Sequence, residues 1–286
     1  MLNPIQLATQ QELKNSTISD LLNLATNTTL YKRIIQSSAD LVAILVIYIS
    51  YIIVLTASKP RIAYYTCDMS DVSFPNLSET IPFYALAIYC VIPALLFILS
   101  VEAGNAKLYP LQNPFTIISG QWRQYLITGL HAFTLFVYGL GITLLLTEIL
   151  KNWVGSLRPY FLAVCNPSYS SISCTVNANT GTIYNSVNTG GSFCSGNSAD
   201  IEEARKSFPS GHASVSFYSM MFIIIYLEAR LILLRFRAIK SLLQVSAFIA
   251  ALVTSVSRIL DYKHRGFPSF FFSFLSRFFF NSTFFN

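Results

Sequence analysis

Three short clusters in the second half of this 286-residue chain combine residue types that together can cleave a phosphate ester. The first holds Lys151, Arg158 and Pro159, the second Pro209, Ser210, Gly211 and His212, and the third Ser257, Arg258 and His264. A phosphomonoester carries roughly two negative charges. Its transition state spreads charge over equatorial oxygens, which need donors already in place. Lys151, Arg158 and Arg258 can supply them, the two arginines through bidentate forks that a lysine cannot copy. Ser210 and Gly211 stand just before an apolar run, so amides at a helix start can point at the same oxygens, and Gly211 permits close approach. His212 and His264 match the two tasks of a double displacement: one neutral imidazole attacks phosphorus, and one protonated imidazole gives its proton to the leaving alkoxide. Each residue alone has an ordinary reading as an interface anchor, a cap or a solvated charge. Their joint occurrence in one order outweighs those readings.

Rival phosphatase chemistries leave no trace. No Cys is followed six residues later by Arg, no carboxylate and histidine cluster could hold two metals, and no Gly-Lys pair could build a Walker-type loop. The expected site therefore uses no metal and no cofactor. His131 lies alone within an apolar run and reads as a helix-packing or interhelical hydrogen-bonding residue.

The elements that must position these clusters are membrane helices. With 53% hydrophobic and 11% charged residues and a mean hydropathy of +0.52, the chain cannot bury its apolar side chains in one water-soluble core. Five segments are long and apolar enough to cross a bilayer: Leu41 to Ala57, Pro82 to Val101, Leu126 to Ile149, Ala213 to Leu227 and Leu242 to Ile259. The fourth is short, carries Ser and Tyr, and is expected to start back at Ser210. Gly139 and Gly141 in the third would let another helix approach closely. The runs exceed barrel-strand length and lack period-2 alternation, so the fold class is all-α, a polytopic membrane helix bundle. No cleavable signal is read, because a long polar stretch precedes the first span, which is expected to stay as an anchor.

Three divisions follow: a cytosolic N-terminal segment over 1–38, a membrane-embedded domain over 39–265 with an outer loop at 151–208, and a Phe-rich tail over 266–286. The loop between the fourth and fifth spans holds Arg230, Arg235, Arg237 and Lys240 and votes for the cytosol, placing all three clusters on the outer or lumenal side. Lys59 and Arg61 vote the other way. Cys67, Cys165, Cys174 and Cys194 favour the first assignment, since disulfides persist outside; three pairings are open to them. Cys90 falls inside the second span as a packing residue, and the sequon at Asn76 shares the outer side, whereas those at Asn15 and Asn27 would be cytosolic. The net charge of +6 needs no nucleic acid, because anionic lipid and a phosphate site account for it.

The stretches Lys151 to Cys165, Ser207 to Ser214 and Ser257 to His264 resemble the type-2 phosphatidic acid phosphatases, specifically the animal lipid phosphate phosphatases. The similarity runs from about residue 40 to 265. The motif set is shared with glucose-6-phosphatase-like enzymes, vanadium haloperoxidases and bacterial acid phosphatases. The resemblance implies six membrane helices, against the five read here, and Mg-independent hydrolysis of phosphatidate, lysophosphatidate and related lipid phosphates at a site facing the exterior or lumen of a plasma membrane or endomembrane. It implies that Lys151, Arg158 and Arg258 bind phosphate, that Ser210 and Gly211 donate hydrogen bonds to it, that His212 is the general acid, and that His264 becomes a phosphohistidine. Tyr160 stands where many animal members have His, and Pro268 stands where the family has the Asp that orients its nucleophile. The second departure carries the alternative reading, a weak or inactive relative that binds lipid or modulates a partner. The partners expected are a lipid phosphate, the bilayer and, as an option, further copies of the chain in a homo-oligomer.

Overall fold

The computed structural model describes residues 38–66, 70–108, 118–167, 186–188, 193–230 and 237–265. The Phe-rich tail, Pro268, Cys67, Cys174, Arg235, Asn15 and Asn27 lie outside the described residues. Among the described residues, five helices are long and apolar enough to cross a membrane: α1 (Ser38–Ala57), α2 (Phe83–Leu108), α3 (Ile118–Val154), α6 (Gly211–Arg230) and α7 (Arg237–Leu260). Between α3 and α6 the described residues include two short helices, α4 (Phe161–Cys165) and α5 (Ser198–Glu203). The chain divides into two compact units, Met1–Ile47 and Tyr48–Asn286. The first contributes residues 38–47, the opening turns of α1; the three clusters belong to the second.

In that unit α6 is central. Two-thirds of its span is buried, 67% against 28% or less for every other span, and it packs on α2, α3 and α7. Its residues explain this placement, because Ser214, Ser216 and Ser219 face protein rather than lipid and let neighbouring backbones come close. α2 presents Leu86, Cys90, Ala94 and Ile98 at four-residue intervals, one helical face, to Ala132, Phe136 and Leu140 of α3 and to Phe222, Ile223 and Tyr226 of α6. Cys90 is a buried, unpaired thiol in that core, as expected of a packing residue.

Gly139 has the role the sequence suggests. A Cβ there would lie 2.2 Å from the Tyr218 hydroxyl, which reaches across to the Phe136 carbonyl at 3.0 Å. His131, by contrast, is exposed on α3, one residue and so about 100° around the helix from the core-facing Ala132, and does not pack between helices. α6 begins at Gly211, one residue after the predicted start, and its 20 residues put Arg230 about 30 Å from Gly211. At that far end Glu102 of α2 takes both the Nε and Nη2 of Arg230, each at 2.9 Å, and the Tyr226 hydroxyl at 2.6 Å.

Short elements cap the other end. β1 (Tyr64–Thr66) and β2 (Ser186–Asn188) pair antiparallel with Tyr65 opposite Val187, a ribbon absent from the all-helical expectation because three-residue strands leave no periodicity to read. Cys165 and Cys194 form a disulfide, which selects among the pairings left open. It closes a satellite core of Val72, Leu157, Tyr160, Phe161, Phe193 and Ala204. Asn166 ends α4 in the left-handed conformation, and Asn197 caps α5 by accepting the Ala199 amide.

Gly155 ends α3 and turns the chain toward Arg158. Its φ is +59°, its amide closes onto the Lys151 carbonyl at 3.0 Å, and an added Cβ would lie 2.1 Å from the Arg61 carbonyl oxygen. Gly155→Ala is therefore expected to cost more than about 2 kcal/mol, combining left-handed strain with a backbone clash. A thermal-unfolding midpoint in detergent within about 1 °C of wild type would contradict this, since a loss of that size moves the midpoint by at least a few degrees.

Candidate active site

The first two clusters are joined by backbone. After Gly155 the chain runs antiparallel to the segment before α6: the Arg158 amide donates to the Ala204 carbonyl at 2.8 Å and the Ser207 amide to the Ser156 carbonyl at 2.9 Å. Ser210 then starts α6, its carbonyl taking the Ser214 amide at 3.0 Å and its hydroxyl accepting weakly from the Ala213 amide at 3.4 Å. The first amides of a helix have no intrahelical acceptor, so those of Gly211 and His212 are available at the bundle end.

The third cluster depends on how α7 stops. Tyr262 adopts a left-handed φ of +55°, and the amides of Lys263 and His264 both fold back to the Arg258 carbonyl, at 3.0 and 3.2 Å. A non-glycine residue in this region costs of order 1 kcal/mol or more. The Tyr262 ring is stacked on Phe74 with centroids 4.6 Å apart, which helps hold the turn. The interval of six between Arg258 and His264 is thus a closing helical turn, and it returns the histidine to the helix end.

These segments surround a cavity of about 290 Å³. Lys151, Arg158, Gly211, His212 and His264 line it, together with Glu79, Glu148 and Glu203 and an apolar wall of Tyr51, Leu55 and Phe83. Five of the seven expected site residues therefore meet in one place. The other two stand behind it: Ser210 is 3% exposed at the helix start, and Arg258 is 1% exposed beneath His212, with Nη1 at 3.4 Å from the imidazole Nε2. The Phe83 ring meets His212 edge-on, centroids 5.9 Å apart.

Hydrogen bonds assign both imidazoles. A carbonyl oxygen only accepts, so His212 Nε2, 2.9 Å from the Ile81 carbonyl, carries a proton. His264 Nδ1 likewise donates to the Ser207 carbonyl at 2.5 Å, leaving Nε2 with its lone pair. Burial first, then the positive charge of Arg158, hold the His264 imidazole well below its usual range, so the ring is neutral at pH 7. The acceptor at His264 Nδ1 is thus a backbone carbonyl two residues before the second cluster, where the family resemblance implied a carboxylate four residues after the histidine.

Each cation has a carboxylate partner. Lys151 Nζ donates to Glu148 at 3.0 Å, Arg158 Nη2 pairs with Glu203, and Arg258 pairs with Asp261 at 2.8 Å and Glu79 at 3.5 Å. Asp261 also accepts the Thr80 amide at 2.8 Å and hydroxyl at 2.6 Å. Burial alone would raise the Asp261 pKa, but these two bonds and Arg258 hold it below the ordinary carboxylate range. Tyr160 earns its place beside Pro159 by accepting Arg158 Nη1 at 3.0 Å, while its ring lies 4.5 Å from Lys263 Nζ. Lys263 in turn donates to Asn76 of the sequon at 2.8 Å.

Glu79, Glu148, Glu203, Lys206 and the Ser207 carbonyl were not singled out from sequence. Only Glu148 left a signal, a lone acid inside an apolar span. A Cβ on Gly211 would meet the Lys151 ammonium at 3.4 Å, ordinary contact on the cavity side. Gly211→Ala should therefore fold normally and raise KM for a phosphate ester about tenfold with little change in kcat, the signature of lost ground-state binding. Equal KM values for the two proteins would count against Gly211 facing the phosphate.

The chain is similar to known proteins over the stretch that carries these residues. A PAP2 superfamily model matches residues 132–279. Mouse phospholipid phosphatase 1 is 31% identical over 225 residues, covering 79% of this chain and 75% of that protein, and the rat protein of the same name is 32% identical over the same shares. Human phospholipid phosphatase 2 is 29% identical over 79% of this chain and 73% of its own length. No solved structure matches the chain.

Proposed function

The chain belongs to the PAP2 superfamily, and from that premise we propose that it is an integral-membrane lipid phosphate phosphatase, hydrolysing phosphatidate, lysophosphatidate and related monoesters through a phosphohistidine, without Mg²⁺. The observation that carries this reading is the tautomer of His264. Its Nδ1–H is held by the Ser207 carbonyl, so a neutral Nε2 is the nucleophile in a cavity bearing Lys151 and Arg158.

In the first step Nε2 of His264 attacks phosphorus, forming an N–P bond as the bond to the ester oxygen breaks. Lys151, Arg158 and the first amides of α6 bind the equatorial oxygens, and Arg258 holds the site from behind. His212 acts as the imidazolium, giving its Nδ1 proton to the departing alkoxide while its Nε2–H stays on the Ile81 carbonyl. In the second step water attacks the phosphohistidine and loses a proton to His212, releasing orthophosphate and restoring both rings. The wall of Tyr51, Leu55 and Phe83 suits a substrate that arrives from lipid with its apolar part still attached. The outward or lumenal placement of the site follows the basic loop that begins at Arg230, at the far end of α6.

The non-catalytic alternative rested on a missing acceptor for the nucleophile's Nδ1. The Ser207 carbonyl supplies one, which favours the active reading. The test is phosphate release from lysophosphatidate in detergent micelles with EDTA present, together with acid-labile, alkali-stable labelling of the protein by a ³²P-labelled lipid phosphate. Release and labelling are expected. Absence of both would overturn the assignment, and release abolished by EDTA would remove its metal-free chemistry.

A further inference from the structure

Glu148 is the single acidic residue of α3 and lies within its membrane-spanning stretch, where an unpaired carboxylate would be costly. It is 4% exposed, and both of its oxygens are engaged. Oε2 accepts from Lys151 Nζ at 3.0 Å, and Oε1 accepts from Lys206 Nζ, also at 3.0 Å. Lys151 lines the cavity. Lys206 immediately precedes Ser207, whose amide is tied to the Ser156 carbonyl at 2.9 Å and whose own carbonyl takes the Nδ1 proton of His264.

We propose that Glu148 is a positioning residue for phosphoryl transfer, one carboxylate that fixes the phosphate-binding Lys151 with one oxygen and the His264-orienting segment Lys206–Ser207 with the other. The proposal rests on the roles assigned to Lys151 and His264 under the proposed function. Its physical content is twofold. The carboxylate sets the distance between a cation at the end of α3 and the backbone that holds the nucleophile, two elements otherwise joined through the backbone pairing at residues 156–158. It also offsets part of the Lys151 charge, so that product phosphate is bound without being retained.

The experiment compares wild type with E148Q, E148D and K206M, each purified in detergent micelles. It measures kcat and KM on lysophosphatidate and the dissociation constant of inorganic phosphate by equilibrium binding. E148Q should lower kcat about 10- to 100-fold while binding inorganic phosphate about three- to tenfold more tightly, because Lys151 loses its counter-charge. E148D should recover most of kcat and the wild-type phosphate affinity. K206M should lower kcat with phosphate affinity within about twofold of wild type, since the Lys151–Glu148 pair remains.

The proposal falls if E148Q turns over within about threefold of wild type, or if it binds phosphate no more tightly. Should E148Q fail to fold, K206M decides, and a kcat within about threefold of wild type overturns the idea. Should wild type release no phosphate, the functional reading is what fails, and the binding comparison between wild type and E148Q still judges Glu148.

Discussion

His264→Ala is expected to lower turnover on lysophosphatidate by about 10⁴-fold or more and to abolish ³²P labelling of the protein, because it removes the atom that bonds to phosphorus. The fold should survive, since the ring's hydrogen bond to the Ser207 carbonyl is a single contact at the edge of the cavity. The pH profile gives a second handle on the same group. The folded imidazole is depressed well below its usual value, chiefly by burial and then by Arg158, so His264 stays unprotonated through neutral and mildly acidic pH. The acid limb of kcat/KM should accordingly lie below about 6.5, the ordinary histidine value. Stability follows the same sign. A group whose folded pKa is lowered contributes stability that is present above about pH 6.5 and is lost as pH falls toward the folded pKa. In wild type the thermal midpoint should therefore decline on acidification below about 6.5, and H264A should decline less. An H264A protein that retains turnover, or an acid limb centred at or above about 6.5, would remove His264 as the nucleophile.

Arg258→Ala is expected to have the second largest effect, and on activity and stability together. The guanidinium is 1% exposed and joins three parts of the site: Asp261 at 2.8 Å, Glu79 at 3.5 Å and, at 3.4 Å, His212 Nε2. Asp261 in turn grips Thr80, next to the Ile81 carbonyl that holds the His212 proton. Removing one partner of a buried ion pair leaves the other uncompensated, typically at about 3–5 kcal/mol. The two Thr80 hydrogen bonds retained by Asp261 place this case at the lower end of that range. kcat/KM should fall about 10³-fold, as donor support for the phosphate and placement of the general acid are lost together. Arg258→Lys should recover stability more than activity, because one ammonium can satisfy Asp261 but cannot also reach Glu79 and the cavity side. Full activity in the lysine variant would show that the fork geometry is not used.

The spans were readable because lipid demands long apolar helices, and the clusters were readable because phosphoryl transfer demands cations and imidazoles in number. All five spans appear where they were read, although α3 begins eight residues earlier and α2 ends seven residues later, and Gly139 gave away a close helix contact that the Tyr218 hydroxyl then occupies. His131 misled because an isolated polar residue in an apolar run looks like a buried partner, whereas its place around α3 relative to Ala132 turns it outward. Glu203 could not be matched to Arg158 from sequence, since their pairing crosses 45 positions through a loop with no periodic signal.

What the sequence by itself determined is the inventory: a membrane helix bundle, three basic groups, two imidazoles and the order in which they occur. These follow from residue type and local period, which need no knowledge of distant contacts. Only the tertiary structure decided how the inventory is wired. It returned the Lys263 and His264 amides to the Arg258 carbonyl, placed Arg258 behind the cavity, and gave each cation its carboxylate. Above all it supplied His264 with a backbone acceptor from 57 residues away. A carbonyl oxygen is present at every position of a chain, so no residue code can announce which one will meet an imidazole; packing alone selects it.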